Sequence, residues 1–130
     1  ISIVKAAKDQ ILKNVGVAYI DLNGLKAIND NYGHSKGDKF ICTAADTFKM
    51  VFPDNSYRVG GDEFVIIEQN IERDKYEERI TALKNIMQDK QVSISIGVLW
   101  REQVDDLEAL LKSADKLMYM EKEMYHKNRE

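Results

Sequence analysis

The chain is 130 residues long, 44% hydrophobic and 32% charged, with a single proline. That balance suits one domain able to bury its own core and excludes a disordered or fibrous chain. A formal net charge of −3 argues against nucleic acid as a partner, and no apolar run reaches the roughly 20 residues that span a bilayer.

Residues Ile3 to Asn14 carry an imperfect helical pattern, with Ala7, Ile11 and Leu12 on one side. Val15 to Leu22 is an apolar run of strand formers and predicts a buried strand, broken by Asn23-Gly24. A short helix is expected over Leu25 to Asp30, followed by turn chemistry at Tyr32-Gly33-His34-Ser35. Asp38 to Phe52 predicts a helix whose apolar face includes Phe40, Ala44, Phe48 and Phe52, ended by Pro53-Asp54-Asn55.

Tyr57-Arg58-Val59 and Phe64 to Ile67 flank Gly60-Gly61-Asp62-Glu63 and predict a β-hairpin. Asp74 to Met87 reads as a helix with Tyr76, Ile80, Leu83 and Met87 inward. Val92 to Leu99 alternates like a strand, and Asp105 opens a final helix with Leu107, Leu110, Leu111, Ala114, Leu117 and Met118 on its buried stripe. Cys42 is expected in the core, and Met118, Met120 and Met124 in helix packing. The order is helix, strand, helix, hairpin, helix, strand, helix, an α/β layer fold with a largely antiparallel sheet.

The lone Cys42 cannot form an internal disulfide, which fits a reducing cytoplasmic setting. The first residues lack an initiator Met and the pattern of a secretory signal. This predicts a piece of a longer chain, with any sensory or membrane segment lying outside it.

The chemistry is carried by acids in strand contexts that should be apolar. Asp21 follows Tyr19-Ile20 near the end of the first strand, and Asp62-Glu63 sit in the hairpin bend. Taken singly, each is an ordinary turn acid. If the strands are neighbours, three carboxylates meet at one end of the sheet and repel one another unless a cation is present. Mg²⁺ suits such a place, because it takes oxygen ligands and shares its remaining positions with water and phosphates.

Gly60-Gly61-Asp62-Glu63-Phe64, preceded by Arg58-Val59, resembles the signature of GGDEF domains. The segment from Asp21 to Asp38 (Asp21-Leu22-Asn23-Gly24-Leu25-Lys26, through Asn29-Asp30, to Gly33-His34 and Gly37-Asp38) is similar to the family's upstream motif. Ser95-Ile96-Gly97 and Ala114-Asp115 through Lys122 resemble its later strand and its last helix. The matches keep the family's order and spacing from about Val17 to Lys122.

The resemblance implies one domain over residues 1–130 of the α+β class. Its central sheet would be mostly antiparallel and five-stranded, flanked by helices, as in nucleotidyl cyclases and polymerase palms. It implies a diguanylate cyclase that condenses two GTP into cyclic di-GMP with release of pyrophosphate. The alternative is a catalytically silent module that binds GTP or relays signals. Two Mg²⁺ or Mn²⁺ ions per site would be held by Asp21, the Leu22 carbonyl, Asp62 and Glu63, with Asp62 and Glu63 as the catalytic pair. Gly24, Leu25, Lys26, Gly60, Gly61 and Lys122 would meet the phosphates, and Asn29 and Asp38 would read guanine. A homodimer would bring two nucleotides together.

Three departures stand out. His126 occupies the place of a usual Arg, Asn23 that of a commoner Asp, and the family's opening motif is absent before Asp21. The inhibitory product site of many members, Arg-x-x-Asp, corresponds to Val51-Phe52-Pro53-Asp54, where Val51 has no guanidinium to bind phosphate or guanine. Weak or absent inhibition by product follows from that change.

Overall fold

The structure, a computed structural model, describes residues 2–128. Helix α1 (Ser2–Ala6) leads into strand β1 (Leu12–Leu22), then helices α2 (Leu25–Tyr32) and α3 (His34–Val51). Strands β2 (Ser56–Arg58) and β3 (Glu63–Glu68) form the hairpin, followed by helix α4 (Arg73–Asp89), strand β4 (Ile94–Val104) and helix α5 (Leu107–Asn128).

The four strands make one antiparallel sheet in the order β2-β3-β1-β4. The α+β class and the antiparallel sheet are as expected, but the fifth strand is not found among the described residues. Only four stretches carry strand patterning, and the rest of the chain is spent on amphipathic helices.

Helices cover both faces of the sheet. On one face Ala18, Ile20 and Leu22 of β1 pack with Phe48 and Phe52 near α3 and with Tyr76, Leu83 and Met87 of α4. On the other, Val15 and Val17 pack with Val65 and Ile67 of β3 and with Leu107, Leu111 and Ala114 of α5. Central strands covered on both sides need apolar residues at every position, which is why β1 and β3 read as continuous apolar runs. An acid within such a run is therefore conspicuous.

Several local expectations are corrected. The first helix ends at Ala6 rather than Asn14, since Asp9 (φ 65) turns the chain and Leu12 already pairs with Val104. The helical spacing of Ala7, Ile11 and Leu12 is coincidental, because Leu12, Val15 and Val17 are strand residues and Ile11 is exposed. Helix α3 begins at His34, four residues before Asp38. Strand β4 runs on through Arg101-Glu102-Gln103, polar residues that an edge strand accepts because it pairs on one side only. Cys42 is exposed rather than in the core. On α5, Met118 is buried, whereas Leu117, Met120 and Met124 are 40%, 62% and 57% exposed. Among the described residues, no helix is long and apolar enough to cross a membrane.

Candidate active site

The sheet brings the three acids together at one end. Asp21 lies directly opposite Glu63 across the β1–β3 ladder, so both side chains point to the same face. The Leu22 N–H donates to the Asp62 carbonyl at 2.9 Å, which fixes Asp62 beside the tip of β1. Asp21, Asp62 and Glu63 are therefore neighbours at one end of the sheet.

The hairpin bend is closed by N–H donation from Val59 and Gly60 to the Glu63 carbonyl, at 2.9 and 3.4 Å. Arg58 adds a clamp that the sequence alone did not suggest. Its Nε donates to the Gly60 carbonyl at 3.1 Å and a terminal nitrogen to the Gly61 carbonyl at 2.6 Å. Two electronegative backbone oxygens of the bend are thus held by a guanidinium, and the glycines themselves are exposed.

The Asp21 carboxyl is pushed up to about 6. Burial is the chief cause, opposed by the Lys122 ammonium and reinforced by Asp62 and Glu63. Beside it the Tyr19 hydroxyl donates to Glu63 Oε1 at 3.4 Å, and burial with nearby negative charge pushes that phenol up to about 12.

Lys122, reaching in from α5, donates to the Leu22 carbonyl at 3.0 Å and stands 3.6 Å from Asp21 Oδ2. The two side chains of this ion pair are only 17% and 15% exposed. Asp21 Oδ1 is buried and has no hydrogen-bond partner. A cationic group therefore already rests on the backbone oxygen and carboxylate expected to hold a metal, with one carboxylate oxygen left over. Carboxylates with a backbone carbonyl form a hard oxygen set that suits Mg²⁺ or Mn²⁺. Among the described residues no three His, Cys, Asp or Glu side chains by themselves enclose an ion. The set fits an ion that draws its remaining ligands from water and phosphate.

A cleft of about 340 Å³ opens next to this corner, lined in part by Leu22, Gly24, Lys26, Asp62, Lys122 and His126. Leu25 also lines it, and Gly24, Leu25 and Lys26 form the entry to α2. Gly24 caps that helix at φ 79, a left-handed conformation that glycine adopts without strain. The first N–H groups of a helix have no partner within it and favour anions. Gly24, Leu25 and Lys26 thus share one cleft with Leu22, Asp62 and Lys122. His126, in the place of the family's Arg, is on its wall.

Not every expected residue lines the cleft: Asp21, Glu63, Gly60 and Gly61 lie outside its lining, as do Asn29 and Asp38. Asn29 and Asp38 lie at the junction of α2 and α3, with Asn29 half-buried and Asp38 exposed. Asn23 proves to be a structural tie. It is buried, its Nδ2 donates to Ser93 Oγ and its Oδ1 accepts from Ser95 Oγ, both at 2.9 Å.

The model of the family described as "Diguanylate cyclase, GGDEF domain" matches residues 3–128. The chain belongs to the GGDEF family. It is 38% identical over 124 residues to the signaling protein YkoW of Bacillus subtilis, covering 85% of this chain and 15% of that protein. It is 34% identical over 116 residues to the diguanylate cyclase DgcS of Shewanella oneidensis, covering 84% of this chain and 39% of that one. The chain thus spans well under half the length of either relative. Among solved structures, the active GGEEF domain of a diguanylate cyclase from Vibrio cholerae superposes with a TM-score of 0.71 at 25% identity, covering 83% of this chain and 76% of that one.

Proposed function

We propose that this chain is the catalytic domain of a diguanylate cyclase, which condenses two GTP into cyclic di-GMP and releases pyrophosphate. The observation that carries this reading is the pairing of Asp21 with Glu63, tied through the Leu22–Asp62 hydrogen bond to a cleft whose wall includes Leu22, Asp62, Gly24, Leu25 and Lys26. Asp21, Asp62, Glu63 and the Leu22 carbonyl would hold two Mg²⁺ or Mn²⁺ ions. Bound there, the ions would supply charge neutralisation at the transferring phosphoryl group and activation of the attacking oxygen.

In this reading the chain's own groups do the rest. Lys26 and the first N–H groups of α2 hold the β- and γ-phosphates, and Lys122 joins them from α5. Gly60 and Gly61 let backbone approach the triphosphate, while Arg58 keeps their carbonyls engaged. Asp62 takes the proton from the ribose 3′-hydroxyl that attacks the α-phosphate of the other GTP, and Glu63 serves as a ligand. Asn29 and Asp38 read guanine. One cleft holds one nucleotide, so the reaction needs two copies face to face. Val51, half-buried at the end of α3, offers no cation beside Asp54, so product inhibits weakly or not at all through that pair.

The test is incubation of concentrated protein with GTP and Mg²⁺ or Mn²⁺, with products separated by chromatography. Cyclic di-GMP should form, and Asp62→Ala with Glu63→Ala should lower the rate about 100-fold or more. Undiminished turnover in that double variant would discard the mechanism. GTP binding with no product at any protein concentration would mark a silent module instead.

A further inference from the structure

Gly37 lies in the first turn of α3, buried, with a backbone that does not require glycine. Glycine costs stability in a helix interior relative to alanine, so its presence calls for a packing reason. The structure supplies one. A Cβ at Gly37 would overlap Asn29 Oδ1 and stand 2.8 Å from Asn29 Cγ and 3.3 Å from Leu25 Cδ1. The space of the missing methyl is filled by the end of the Asn29 side chain.

That side chain is held in an unusual way. Asn29 Oδ1 is buried with no hydrogen-bond partner, an arrangement that costs desolvation and returns no bond within the chain. What it provides is orientation. With the oxygen packed against Gly37, the amide nitrogen, set apart from it in the same plane, is the atom left for a ligand. Asp38, the next residue after Gly37, is exposed and carries an acceptor carboxylate. Guanine presents N1–H and amino donors flanked by O6 and N3 acceptors, which such a donor–acceptor couple matches. Adenine lacks the N1–H donor.

We propose that Gly37 is a positioning residue for base specificity: its missing side chain is the seat that aims the Asn29 amide at guanine. This rests on the reading of the site as a GTP site. Because the obstacle to a methyl group is the tip of a side chain and not a backbone, Gly37→Ala is absorbed by rotation of Asn29, with the helices left in place.

The experiment is a double-mutant cycle of Gly37→Ala and Asn29→Ala, read by titration calorimetry with Mg²⁺ present. The ligands are 3′-deoxy-GTP and 3′-deoxy-ATP, which lack the attacking hydroxyl and cannot condense. Gly37→Ala should weaken 3′-deoxy-GTP about tenfold, the worth of one well-made hydrogen bond. It should leave 3′-deoxy-ATP binding and the melting temperature essentially unchanged. In the Asn29→Ala background the same change should add nothing. An unaltered preference for guanine in Gly37→Ala, or a full additional loss in the double variant, overturns the inference while the GTP site stands. Unfolding of Gly37→Ala also overturns it, since rotation of Asn29 is then no relief. If Asn29→Ala itself leaves the base preference intact, or the unaltered chain does not bind 3′-deoxy-GTP, the site reading falls and takes this inference with it.

Discussion

Asn23 sits one residue past β1 and joins it to β4 through Ser93 and Ser95, with its own N–H donating to the Ser93 carbonyl at 2.9 Å. Asn23→Ala leaves the buried Ser95 hydroxyl without its partner, and it should lower unfolding free energy by about 1–3 kcal/mol, measured by urea denaturation. The family pattern presented this residue as a substituted acid, and only the position of two distant serines reveals its work. Arg58 was illegible for the same reason, because its partners are backbone carbonyls that sequence cannot place. Asp21 was conspicuous because a carboxylate in an apolar strand run has few structural uses, whereas Asp62 and Glu63 read singly as turn acids and drew their weight from the resemblance. Asn29 and Asp38 came from the resemblance alone.

Helix α5 carries the clearest case of element-level fit. It lies so close to β4 that a Cβ on Gly97 would overlap the Ala114 carbonyl oxygen and stand 2.6 Å from the Met118 nitrogen. Both obstacles are backbone, so the helix itself must move. Gly97→Ala should therefore cost about 1–3 kcal/mol or more and should shift Lys122 away from Leu22. Chemical denaturation and circular dichroism check the first outcome. Elements with strong periodicity, α3, α4 and α5, were read correctly in kind. The first helix was overextended because Ile11 and Leu12 satisfy a helical and a strand spacing equally well, and only pairing with Val104 decides between them.

At the scale of the molecule, β1 is the shared wall of two cores and its end is the floor of the site. Ala18, Ile20 and Leu22 face one core while Val15 and Val17 face the other, so the position of Asp21 is fixed by packing from both sides. A product built from two nucleotides, with each chain presenting one in the proposed reading, makes the proposed reaction second order in protein. Specific activity should rise with protein concentration until pairing saturates, and sedimentation with GTP present should show the paired species over the same range. A specific activity flat down to high dilution would contradict that requirement. The two-faced sheet was legible from the unbroken apolar runs of β1 and β3. The strand count was not, because four runs fitted a five-strand family expectation without any residue to contradict it.

The ammonium of Lys122, lying on Leu22 and Asp21, means that part of the negative charge of this corner is already balanced from within. Under the proposed function an arriving dication meets a like charge in occupation and must evict it. The evicted amine then needs an anion, and the nearest one is the triphosphate that comes with the ion. Ion and nucleotide would each be received poorly alone and well as a pair, so the protein would stay indifferent to free magnesium and respond to magnesium-bound nucleotide.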